Sequence, residues 1–131
     1  MNLLFFNNTQ KTCRENRVCG LVAETIPEIS IKMFSQLDTM LEWLHLPPRD
    51  FFAAVIIPDD SKVLTELIKV VPYFADRKSI IILPENDSDA LSLARKFGFS
   101  YIHNDDNDFS TVISLLENWM QSEKKARKWI E

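Results

Sequence analysis

Two glycines in 131 residues, Gly20 and Gly98, are too few for a loop that wraps a nucleotide phosphate, and neither follows a predicted strand. Such loops bring backbone amides against the ligand, and glycine permits that approach. Phosphate-cradling enzymes are thereby disfavoured. Basic residues are also scarce: 15 Lys and Arg against 19 Asp and Glu leave a net charge of −4, whereas nucleic-acid binding usually shows as a basic stripe. The one dense basic cluster, Lys124, Lys125, Arg127 and Lys128, reads as favourable charge at the C-terminal end of a helix. No apolar run approaches the roughly 18 to 20 residues needed to cross a bilayer. The opening Met-Asn-Leu-Leu-Phe-Phe has no basic leader, and its apolar run is too short for a secretory signal. The expected location is cytoplasmic, with no membrane partner and no nucleic acid.

Cysteine is nearly absent as well. Cys13 and Cys19 stand six apart on a predicted helix, where about 100° of turn per residue puts them on different faces. They are expected to be reduced thiols that pack like small hydrophobes. No disulfide framework is needed, because a chain of this length buries about 68% of its unfolded surface. With 46% hydrophobic and 26% charged residues, the composition is that of a globular domain and excludes a disordered chain.

Five short apolar runs are present, each followed by a stretch with helical spacing. Leu3 to Phe6 ends at Asn7-Asn8-Thr9, a polar cluster suited to starting a helix, and the spacing predicts a helix from Gln10 to Thr25. Val18, Leu21, Val22 and Ile26 supply its inward stripe, and Pro27 stops it. Ile29 to Met33 alternates apolar and polar; Ser35 opens a second helix with Asp38 as a capping-box variant, buried through Leu37, Met40, Leu41 and Leu44 and ended by Pro47-Pro48. Phe51 to Ile57 is apolar throughout and breaks at Pro58-Asp59-Asp60, after which a helix is predicted to reach Val71 through Val63, Leu64, Leu67 and Ile68, closed by Pro72. Ile80 to Leu83 leads through Pro84 to a helix over 88–97 that stops at Gly98, a good C′ residue. Phe99 to His103 is the last strand, and a long helix runs from Asp108 to near the chain end.

Regular alternation of this kind implies an α/β fold, a parallel sheet covered by helices on both faces. Inner strands of such a sheet read as continuous apolar runs, as the first, third and fourth do. Ser30, Lys32, Ser100 and His103 make the second and fifth mixed, so these belong at the edges. The predicted architecture is a flavodoxin-like three-layer sandwich with five parallel strands in the order 2-1-3-4-5.

Ligands of open α/β sheets bind beyond the carboxyl ends of the strands, near the switch point between strands 1 and 3. That rim carries Asn7, Asn8, Pro58, Asp59, Asp60, Pro84, Glu85, Asn104, Asp105 and Asp106. No serine pairs with a histidine as nucleophile and base: His45 falls late in a helix and His103 at the end of the edge strand, and both read as surface or satisfied residues. No catalytic residue, cofactor or metal-ligand set is predicted.

The pattern resembles the receiver domain of bacterial response regulators over the chain as far as about Met120. The resemblance implies phosphorelay signalling, with an acidic pair after strand 1 that holds Mg²⁺, an aspartate phosphoacceptor at the end of strand 3, a Thr or Ser after strand 4 and a Lys-Pro pair after strand 5. This sequence departs at every one of those positions. Asn7 and Asn8 stand for the acidic pair, and neutral amides suit Mg²⁺ poorly. Pro58 replaces the phosphoacceptor, with Asp59 one residue on. The following loop is shortened to Asp59-Asp60-Ser61-Lys62. Leu83-Pro84 replaces the switch hydroxyl, and Asn104-Asp105 replaces the Lys-Pro pair. Tyr101 matches the family's switch aromatic on strand 5. The implied identity is a degenerate pseudo-receiver, non-catalytic, acting on a protein partner or output domain through the surface of helix 4, strand 5 and helix 5, with Tyr101, His103, Trp119 and Trp129 as contact residues and a homodimer through the same face.

Two other readings stand beside it. Asp59 or Asp60 can serve as an atypical phosphoacceptor, though without the lysine and hydroxyl that stabilise transferred charge. Alternatively Asp59, Asp60, Asp105 and Asp106 form a rim for a metal or small ligand. The plain reading of the same residues is that Asp and Asn start helices in βα loops. The final helix, at about 36 Å from Asp108 to Glu131, outruns a five-residue strand of roughly 17 Å. Phe109, Val112, Ile113, Leu116, Trp119 and Met120 form its inward stripe, while Trp129 and Ile130 lie beyond the core. The expected division is a receiver-like domain over 1–121 and an extension over 122–131 leading to an output domain, as in a piece of a longer regulator.

Overall fold

Continuous apolar runs become the inner strands of the sheet. In a computed structural model, which describes residues 2–7, 17–45, 51–58, 61–69, 71–74, 77–83, 88–103 and 109–130 (the side chains at 61, 62, 71, 74 and 126–130 apart), the strands are β1 (Asn2–Asn7), β2 (Ser30–Phe34), β3 (Ala53–Ile57), β4 (Lys78–Ile82) and β5 (Tyr101–His103). All pairings are parallel, in the order β2-β1-β3-β4-β5. The predicted topology and edge strands are therefore observed. β1 and β3 are buried along almost their whole length, whereas β2 alternates exposed and half-buried positions until Phe34. Strand alternation sorts the core into two layers. Leu3, Phe5, Val55 and Ile80 face one side with α1 (Arg17–Thr25) and α5 (Ser110–Ile130). Leu4, Phe6, Ile56 and Ile81 face the other with α2 (Leu37–His45), α3 (Ser61–Glu66) and α4 (Ser88–Phe97). Right-handed crossovers around a sheet of this order put helices on those sides.

Local chemistry moves several boundaries. β5 begins at Tyr101, two residues later than the sequence predicts, because the Ser100 hydroxyl accepts the Ser79 N–H at 3.1 Å where a ladder bond would otherwise form. The third helix is α-helical only to Glu66 and then tightens into 3-10 turns at Leu67–Lys69 and Val71–Phe74. Pro72, expected to close the unit, sits inside the second turn. It lacks an N–H and disfavours α geometry in the residue before it, which short 3-10 pieces tolerate. Ile68, expected in the inward stripe, is 61% exposed as a result. Gly98 ends α4 at φ 76°, as a C′ glycine should.

α1 differs most from expectation. It is described from Arg17, and the predicted start at Gln10 falls outside the described residues. Val18, Cys19 and Val22 make its buried face, and Leu21 is 38% exposed. Positions 18, 19 and 22 lie within about 100° of one another on a helix, and 21 does not. Cys19 packs as the small hydrophobe the sequence suggests, but it is disulfide-bonded, which corrects the expectation of two reduced thiols. Among the described residues no helix is long and apolar enough to cross a membrane.

α5 spans about 32 Å, well past the ends of the strands. Beyond Met120 it stays tied to the body of the domain, since Lys124 pairs with Glu28 in the connection between α1 and β2. The pair is exposed, so it contributes about 1 kcal/mol or less.

Candidate functional site

The carboxyl ends of β1, β3, β4 and β5 lie side by side. Asn7, the last residue of β1, is in register with Ile57 of β3, and Pro58 follows directly. Asn7 is 1% exposed, and Pro58 is buried too. Leu83, just after β4, is buried and donates its N–H to the carbonyl of His103 at 2.8 Å, which carries the β4 to β5 pairing one step further. The described floor of the rim is thus Asn7, Pro58, Leu83 and His103. None of the four bears a carboxylate or an ammonium group. Among the described residues no group of three or more His, Cys, Asp and Glu is placed to hold a metal ion. Asn8, Asp59, Asp60, Pro84, Glu85, Asn104, Asp105 and Asp106, all named from the sequence as rim residues, lie outside the described residues.

An aromatic ladder climbs from the edge strand to α1. Tyr101 and His103 share one face of β5, as period two requires, with ring centres 5.9 Å apart. His103 packs in turn on Phe109 at 5.4 Å, and the Arg17 guanidinium lies 5.7 Å over the Phe109 ring. The Tyr101 Oη stands 3.4 Å from His103 Nδ1, so the hydroxyl donates to that nitrogen when the ring carries its proton on Nε2. His103 is only 6% exposed. Tyr101 and Trp119 are half-buried and retain an outer face. The Trp129 backbone continues α5, and its side chain lies outside the described set.

Between α1 and α5 the ladder borders an open groove of about 440 Å³ that Leu21, Phe109 and Ile113 help to line. Sequence reasoning placed Phe109 in the inward stripe of α5 but did not connect it to Arg17 or His103. Those contacts are set by how two helices and a strand far apart in the chain converge, and no local spacing encodes them.

No protein-family model and no curated protein sequence matches this chain. Solved structures do. A CheY-like response regulator protein from Mesorhizobium loti superposes with a TM-score of 0.65 at 12% identity, covering 90% of this chain and 97% of that one. The fold is that of response-regulator receiver domains. A CheY-like receiver domain protein from Methanospirillum hungatei gives 0.62 at 13% identity, covering 95% of this chain and 97% of its own. A response regulator from Burkholderia pseudomallei, solved with a phosphorylated aspartic acid, a calcium ion and citrate, gives 0.64 at 11% identity over 95% of this chain and 72% of that chain. At such identities the likeness is one of fold. In this fold the described part of the rim floor is built from an amide, a proline, a leucine and a histidine.

Proposed function

We propose that the chain is a receiver-like signalling domain that has lost the phosphorylation machinery and works by protein–protein contact rather than turnover. One observation carries the reading: buried Asn7 ends β1 and buried Pro58 directly follows the adjacent β3, where the resemblance to receivers puts a Mg²⁺-binding acid and the phosphoacceptor. A neutral amide is a weak ligand for Mg²⁺, which wants anionic oxygens. A proline ring has no oxygen to take a phosphoryl group. The contact surface is assigned to α4, β5 and α5, with Tyr101, His103 and Trp119 as its contact residues and Trp129 further along α5. A protein partner, an output domain reached through residues 122–131, or a second copy of the chain is its occupant. A cytoplasmic setting, without cofactor, nucleic acid or membrane, belongs to the same proposal.

Incubation with Mg²⁺ and acetyl phosphate, followed by intact mass, tests it. The expected result is no phosphoryl adduct. An adduct on Asp59 or Asp60 replaces this reading with that of an atypical phosphoacceptor. Thermal unfolding with and without Mg²⁺, Mn²⁺ and Ca²⁺ is expected to show no shift in Tm. A rise with any of them marks ligand binding by the folded state and transfers the function to the acidic rim.

A further inference from the structure

The outward face of α1 is its own complement in charge. Arg17, Leu21 and Glu24 fall within about 60° of one another on a helix that turns about 100° per residue, and all three are exposed, Leu21 at 38%. Along the helix axis the apolar residue thus stands between a cation and an anion. Among the described residues Glu24 pairs with no cation. We propose that α1 is a self-docking helix: a second copy of this chain packs its α1 antiparallel on the first, about a two-fold axis that passes between Gly20 and Leu21. The inference goes beyond the signalling reading above, is centred on α1 rather than on α4, β5 and α5, and stands without it.

Residue spacing sets the register. Positions 17 and 24 are equidistant from that axis, so Arg17 faces Glu24 of the other copy, and Glu24 faces its Arg17. A two-fold contact is isologous, and one favourable pair is therefore made twice. The same operation sets each Leu21 against the other copy's Gly20. Gly20 is half-buried inside α1. Glycine weakens a helix interior, but it has no side chain to hold two helices apart. A parallel pairing would instead set Arg17 against Arg17 and Glu24 against Glu24, which like-charge repulsion opposes.

The surface beside α1 is shaped to receive such a helix. The groove of about 440 Å³ is lined by Arg17, Leu21 and Thr25 from α1 and by Phe109 and Ile113 on the α5 side, so the other copy gains an apolar bed as well as its ion pairs. The Arg17 guanidinium lies 5.7 Å over the Phe109 ring. Its N–H donors project from the rim of the guanidinium plane, so a stacked group can also meet a carboxylate. Exposed ion pairs add little affinity, but they discriminate among orientations. One helix and its groove make a small interface, and small interfaces are weak and transient. Self-association is therefore expected at high concentration rather than as a permanent dimer.

Sedimentation velocity on the full 131-residue chain, in a series reaching about 0.5 mM because contacts of this size are weak, tests the proposal. The expected result is a monomer–dimer equilibrium. Arg17→Glu and Glu24→Arg are each expected to weaken it about tenfold or more, since like charges then face each other twice. Mixed in equal amounts, the two variants are expected to recover the association of the parent chain, because both contacts then bring opposite charges together. Both positions are exposed, and circular dichroism checks that each variant is folded. A parent chain that stays monomeric at the highest concentration overturns the proposal. So does a dimer that persists unchanged in both single variants, or a mixture of the two that stays monomeric.

Discussion

His103 is held between two aromatic rings, and its Nδ1 lies 3.4 Å from the Tyr101 hydroxyl. Packing and hydrogen bonding at this residue are separable by substitution. His103→Ala removes both ring contacts and leaves a void, and is expected to lower stability by about 2–4 kcal/mol in urea unfolding. His103→Phe keeps the rings, and the half-buried Tyr101 hydroxyl can turn to water, so its cost is expected to stay within about 1 kcal/mol. Equal losses for the two variants would show that the ring nitrogens, not the packing, hold the edge strand. The sequence made half of this visible. Period two put Tyr101 and His103 on one face, but which face α5 covers depends on where Phe109 lands. The same limit applies to Cys19: it packs as the small hydrophobe the sequence suggests, whereas its disulfide was not legible in the local spacing.

Gly98 closes α4 in the left-handed region, and a Cβ built there meets no atom within 4 Å. Space is not the constraint; the backbone conformation is. Gly98→Ala is expected to cost about 1–2 kcal/mol, and Gly98→Asn about half as much, because asparagine tolerates that conformation better. Urea midpoints measured at constant m-value check the order. A Gly98→Ala variant as stable as the parent would mean that the α4 terminus rearranges. Elements such as α4 were readable because spacing, first-turn Asp89, last-turn Arg95 and Lys96, and a stop signal agree. The third helix was only half readable. Leu64 and Leu67 announced a buried face, but Pro72 forced a retreat into 3-10 turns that apolar spacing alone does not encode.

At the scale of the molecule, strand order was the most legible feature, because an inner parallel strand must be apolar on both faces while an edge strand need not be. Phe51 to Ile57 fits only an inner position, and β3 takes it. The candidate site was less legible. A missing carboxylate can be read from one position, yet the arrangement of rim residues follows from loops whose course the strands do not dictate. Protection from hydrogen exchange is expected to follow the sheet: slowest in β1, β3 and β4, faster in β2 and β5, where one edge has no neighbouring strand among the described residues. Comparable protection in β5 and β3 would instead indicate that the β5 edge is covered in solution, as a dimer through that face requires.

The position of β1 has a consequence for biosynthesis. It is synthesised before both of its neighbours, β2 and β3, and the second of these ends only at Ile57. At about 5–20 residues per second, Leu3 to Phe6 waits roughly 3 to 10 s for its later flank. During that interval an oily tetrapeptide stands beside the nascent chain with one side unclaimed, a natural docking point for a holdase until the third strand arrives.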